Sequence, residues 1–137
     1  MCKCENEIIW EFKILKIINM SKEEKTNVIL DLTIDFSLKI ISYAELLEKE
    51  RKFVVANQLL KSGTSIGANV WEAQSAESRA DFIHKLKISN KETYETEYWI
   101  KLCQLAESYP NPEGLQDDIL SIKKVLGKII STSKNNN

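Results

Sequence analysis

Between residues 26 and 49 the positions Ile29, Leu32, Thr33, Phe36, Ile40, Tyr43, Ala44 and Leu47 recur at steps of three and four. That spacing places them on one side of an amphipathic helix facing a core. Ile34, Leu38 and Ile41 form a second apolar flank, so this helix is expected to bury more than one side. The charged run at residues 48–52 contains neither Gly nor Pro, yet the pattern restarts after it. It reads as a tight, solvated connection between helices. A second helix is predicted from Phe53 to about Ala76, with Val55, Leu59, Ser62, Ile66, Val70 and Ala73 as the stripe of a bundle.

Ser78 followed three residues later by Asp81 resembles a capping box, which starts a third helix running to about Glu107. Its apolar residues cover most of the circumference. Phe82, Leu86 and Ile100 share one line, Ile88, Trp99, Leu102 and Ala106 a second, and Tyr94, Tyr98 and Leu105 a third. One core cannot use all three, so part of this surface is expected to meet another subunit. Pro110 and Pro112 stop the helix, and Asn111 with Pro112 suits the cap and first position of a fourth. There Leu115, Ile119, Ile122, Leu126 and Ile129 form the stripe, while Asp117 and Asp118 near the start and Lys123, Lys124 and Lys128 toward the end match the helix dipole. Residues 131–137 are expected to fray.

Composition narrows the class. The 137 residues carry 4 Gly and 2 Pro against 28% charged and 43% hydrophobic residues, which suits an all-α domain. A net charge of −1 argues against coating nucleic acid or anionic membrane by bulk charge. The three cysteines form no disulfide framework, and no apolar run approaches the ~18 residues of a membrane span. A cytoplasmic protein without membrane contact is expected. Residues 1–19 are neither cleanly helical nor cleanly alternating and read as an N-terminal extension that translation from Met20 would leave out, with an arm that adds onto a neighbouring subunit as the alternative; residues 20–137 form the domain. Cys2 and Cys4 have no second Cys/His pair with which to close a metal shell.

No catalytic, cofactor or metal constellation emerges, and no small-molecule substrate is evident. Ala56, Gly63 and Gly67 lie on one line of the second helix. Two glycines inside a helix cost about 1 kcal/mol each relative to Ala, so their presence predicts close approach by another helix. The alternative is that the Gly63–Gly67 stretch is a loop. It lacks the Gly-Lys-Ser/Thr ending of a phosphate loop. Asn69, Glu72, Glu92 and Glu95 border the core stripes and are expected to form a buried polar network, with basic partners such as Lys85. His84, the only histidine, points away from Glu92 and gives no ligand pair.

Short connections imply an antiparallel up-down-up-down four-helix bundle. Arg79, Lys85, Lys87 and Lys91 would then meet Lys123, Lys124 and Lys128 at one end, with Glu95, Glu97, Glu107, Glu113, Asp117 and Asp118 at the other. The bland reading is solvated helix ends; the sharper one is a basic end that contacts phosphate backbone.

The string Leu59-Leu60-Lys61-Ser62-Gly63-Thr64-Ser65-Ile66-Gly67-Ala68-Asn69, then Glu72-Ala73-Gln74, residues 78–85, and Lys91-Glu92 through Glu95 to Tyr98-Trp99 resembles the four-helix-bundle proteins encoded in intervening sequences of 23S ribosomal RNA genes. The resemblance covers roughly residues 20–130. It implies a ring-forming homo-oligomer, a pentamer, with a non-enzymatic role. The family also resembles accessory proteins of diversity-generating retroelements, which are basic and bind a reverse transcriptase and nucleic acid; the acidic balance here departs from them. The expected function is an oligomeric scaffold or binding protein that contacts RNA or a ribonucleoprotein through its basic end, with a purely protein-binding assembly as the alternative.

Overall fold

In a computed structural model, Phe12, Leu15, Lys16 and residues 18–135 are described. Four long helices carry the domain: α1 Lys22–Lys49, α2 Phe53–Ala73, α3 Arg79–Leu105 and α4 Leu115–Asn135. No strand occurs among the described residues. Most of the N-terminal extension, including Cys2, Cys4 and Met1, lies outside them.

Each helix packs on its neighbours in sequence, and α1 also packs on α4. Gly63 faces Ile40 while Gly67 faces Thr33, so α1 and α2 run antiparallel. Ser89 bonds to Ile66 while Lys85 meets Glu72, so α2 and α3 do the same. The core holds the predicted stripes of α1, α2 and α4: Ile29, Phe36, Ile40 and Leu47; Leu59, Ile66 and Val70; and Ile119, Ile122, Leu126 and Ile129. Burying an aliphatic side chain contributes roughly 1.5–3 kcal/mol, so these stripes dominate the stability.

The ends of the helices differ from the sequence pattern for local reasons. α1 begins four residues before Thr26, because Ser21 accepts from the Glu24 N–H (3.2 Å) and Glu24 accepts from the Ser21 N–H (3.0 Å). This reciprocal box satisfies two backbone donors at the first turn. α1 ends in a Schellman turn: Lys52 N–H donates to Leu47 C=O (2.8 Å), Arg51 N–H donates to Glu48 C=O (2.9 Å), and Arg51 takes φ +64°. α2 stops at Ala73, and Gln74, Ser75 and Ala76 follow with three-residue hydrogen bonds, a tightened tail beyond the α-helix.

Ser78 caps α3 by accepting from Asp81 N–H (3.0 Å), but the Asp81 carboxylate accepts from Glu77 N–H (3.3 Å), so the box closes one residue early. Ala106 turns extended (ψ 118°) and ends α3 at Leu105, before Glu107. Asn111 and Pro112 do not start α4. Gly114 takes φ +84°, which no helix contains, and α4 begins directly after it. At its other end α4 stays helical to Asn135, with Ser133 buried, so the expected fraying from residue 131 is corrected: a helix with a buried face is held by its packing.

Candidate interaction surfaces

Gly63 and Gly67 form a continuous helical surface under α1. A β-carbon at Gly63 would stand 2.9 Å from both γ-carbons of Ile40, and one at Gly67 would stand 3.1 Å from Thr33 Cβ. The Gly63–Gly67 stretch is helix, so the loop alternative is excluded. Ala56, on the same line, is buried.

Small residues continue on the facing side of α3. Ser89, Thr93 and Thr96 are buried between Leu86 and Ile100, and each hydroxyl donates to a backbone carbonyl: Ser89 to Ile66 (2.8 Å), Thr93 to Asn90 (2.5 Å) and Thr96 to Glu92 (2.7 Å). The Ser89 bond crosses from α3 to α2 and fixes their register. Sequence reasoning missed this line by counting only apolar residues. Leu86, Ser89, Thr93, Thr96, Ile100 and Cys103 step by three and four, a signal that needed only a tolerance for small polar side chains.

The expected buried network of Asn69, Glu72, Glu92 and Glu95 is not buried. Glu72 and Glu95 are exposed, Asn69 and Glu92 half-buried. Asn69 donates to Ser65 C=O within its own helix (2.8 Å). Lys85 pairs with Glu72 (3.2 Å) rather than with Glu92 or Glu95. The physical reason is desolvation: a carboxylate at the border of a stripe keeps its hydration by turning outward. Glu92 pays part of that cost. Burial, then the adjacent Glu95 carboxylate to which it is hydrogen-bonded, hold its carboxyl above the ordinary range, with Lys61 opposing.

The basic residues are distributed otherwise than expected. Lys123 pairs with Glu97 (2.7 Å) and lies 4.2 Å from the centre of the Tyr94 ring. This bond joins one residue of the expected basic end to one of the expected acidic end, so the charges do not segregate cleanly. The reason is height: Lys123 lies two turns into α4, level with Glu97, not at the helix end. Lys87, Lys91, Lys124 and Lys128 are exposed, as is Arg79 at the start of α3.

Exposed apolar surface runs along two of the helices. Ile34 (45% exposed), Leu38 (58%) and Ile41 (39%) follow one line of α1; Tyr94 (58%), Tyr98 (57%) and Leu105 (68%) follow one line of α3. The second flank of α1, expected to be buried, is therefore exposed in the single chain. Tyr98 packs edge-on against Trp99 (5.2 Å between ring centres), leaving its outer face open. Lys101 is exposed on the same side as the two tyrosines and was not among the expected contact residues.

Cys103 is buried, and burial pushes its thiol up, away from the reactive thiolate. Among the described residues no cluster of His, Cys, Asp and Glu is placed to hold a metal ion, and no helix is long and apolar enough to cross a membrane.

The chain is similar over 78% of its length to a solved structure from Bacteroides thetaiotaomicron VPI-5482, described as a protein of unknown function from the S23 ribosomal protein family. The two share 44% identity with a TM-score of 0.74, and the match covers 98% of that chain. No curated protein matches. Residues 14–129 match the family described as 23S rRNA-intervening sequence protein, a span that begins ahead of Met20 and takes in all of α1, α2 and α3 and most of α4. A match over that span, carried on a four-helix fold shared with a relative at 44% identity, places the chain in that family: it is a 23S rRNA-intervening sequence protein.

Proposed function

We propose that the protein is a non-enzymatic scaffold that works as a homo-oligomer, a pentameric ring as the resemblance implies, and binds its partners on the assembled surface. One observation carries this reading: the core is filled by one stripe from each helix, yet apolar lines remain exposed on α1 and α3. Contiguous apolar surface of this kind marks association sites. The test is mass in solution by native mass spectrometry and sedimentation across a concentration series. A pentamer is expected; a monomer up to the highest soluble concentration rejects the reading.

A second reading, contact with RNA or a ribonucleoprotein, is favoured by Lys124 and Lys128, exposed one turn apart on α4. Adjacent exposed cations suit successive phosphates. Binding of structured RNA is expected to weaken steeply with salt and to be lost in the Lys124→Glu/Lys128→Glu variant. Absence of binding at low salt leaves a purely protein-binding assembly.

A further inference from the structure

α1 and α3 sit at diagonal positions of the bundle, since α2 and α4 each pack between them. Their outward faces therefore point in opposite directions. On α1 the exposed Ile34, Leu38 and Ile41 lie among exposed Asp31, Asp35 and Glu45; on α3 the exposed Tyr94 and Tyr98 lie among exposed Lys87, Lys91 and Lys101. None of these six charged groups has an ion-pair partner among the described residues.

The two faces also match in height. Gly67 meets Thr33, and the neighbouring Ile66 accepts from Ser89, so Thr33 and Ser89 share one level of the bundle. Both α1 and α3 run antiparallel to α2, so residues equally far beyond Thr33 and Ser89 are level. Asp31 is level with Lys87, Asp35 with Lys91, Leu38 with Tyr94 and Glu45 with Lys101, to within about one residue or ~1.5 Å of rise.

We propose that the acid-rimmed α1 face of one copy seats on the lysine-rimmed α3 face of the next. This rests on the reading of the protein as a homo-oligomer and adds the polarity of its contact. The occupant of each face is a second copy because the apolar centres and the charges are complementary between the faces, whereas α1 on α1 or α3 on α3 would bring like charges together. A contact between two different faces on opposite sides of one molecule is head-to-tail. Repeated with a closing rotation, it makes a ring, with no free face left over.

The experiment uses Leu38→Glu and Tyr98→Glu, both at exposed positions, with helicity and thermal unfolding compared with the parent chain. Each variant alone is expected to be monomeric. An equimolar mixture is expected to give a one-to-one dimer and nothing larger, since the intact α3 face of one meets the intact α1 face of the other. A mixture that stays monomeric overturns the proposal. So does dissociation by only one of the two substitutions, which would mean that one face pairs with its own copy. If both variants keep the parent oligomer's mass, the polarity fails while the scaffold reading stands; a monomeric parent removes both. As a check independent of the apolar residues, Asp35→Lys and Lys91→Glu should each weaken assembly, and the two in one chain should restore it. Unchanged assembly in those variants, with RNA binding lost in Lys91→Glu, would assign the α3 face to a polyanion and overturn the proposal.

Discussion

Gly63 lies so close to Ile40 that a β-carbon there would approach two of the isoleucine's carbons to 2.9 Å, while Ile40 itself is fully buried. Gly63→Ala must therefore displace a side chain in a filled core. Overpacking costs about 1–3 kcal/mol, against a helix-propensity gain of about 1 kcal/mol. Net destabilisation is expected, read as a lower urea midpoint with an unchanged slope. Gly67→Ala meets Thr33 Cβ at 3.1 Å, a milder contact, and should fall nearer to neutral.

Ser89 is fully buried and donates across the α2–α3 seam to Ile66 C=O. Ser89→Ala keeps the volume nearly constant and removes one neutral hydrogen bond. A loss of about 0.5–1.5 kcal/mol is expected. Chemical denaturation would measure it; no change at all would mean that the bond contributes nothing beyond packing.

Arg51 holds a left-handed backbone (φ +64°) at the end of α1, a conformation glycine adopts without strain. Arg51→Gly should raise stability by a few tenths to about 1 kcal/mol, the relieved strain being partly offset by the greater freedom of the unfolded chain. A lowered melting temperature would assign Arg51 a stabilising contact that outweighs its strain.

Glu92 retains its proton to a higher pH in the folded chain than in the unfolded one, because burial and Glu95 disfavour its charge. The folded state therefore binds more protons in the window above the ordinary carboxylate value, and stability falls as pH rises through that window. Glu92→Gln removes the penalty and keeps a donor toward Glu95. The variant should melt higher than the parent at pH 7, with the advantage shrinking below about pH 4. An equal or lower melting temperature at pH 7 would show that the charge is compensated.

Large aliphatic residues made most of the fold legible. Ile119, Ile122, Leu126 and Ile129 sit where their spacing puts them, since steps of three and four place all four on one helix face and that face is buried. The start of α1 was equally readable in Ser21 and Glu24, but the apolar stripe begins later and drew the boundary to Thr26. Asn111 and Pro112 carry the right chemistry for a cap and still lost, because the backbone at Gly114 must turn through positive φ before α4 can point back along α3. Ser89, Thr93 and Thr96 were hidden by their polarity: a hydroxyl bonded to a backbone carbonyl is buried at little cost, and only the small residues on α2 reveal the room for it. The candidate surfaces were legible as composition and not as arrangement. Lys123 and Glu97 belonged to opposite groups by chain position, and the actual packing of α3 on α4 joined them.

Three seams of this bundle join helices that follow one another in the chain, but the fourth joins α1 to α4. It is fastened by Lys39 to Asp118, 79 residues apart, and by the Tyr43 hydroxyl to Pro110 C=O, 67 residues apart. Closing such long loops costs more chain entropy than forming adjacent hairpins. The adjacent hairpins need only neighbouring segments, whereas the α1–α4 seam needs both ends of the domain. Tyr43 thus latches the α3–α4 connection to α1, and in a chain being made this latch must wait until residue 110 has been added, 67 residues after its own half.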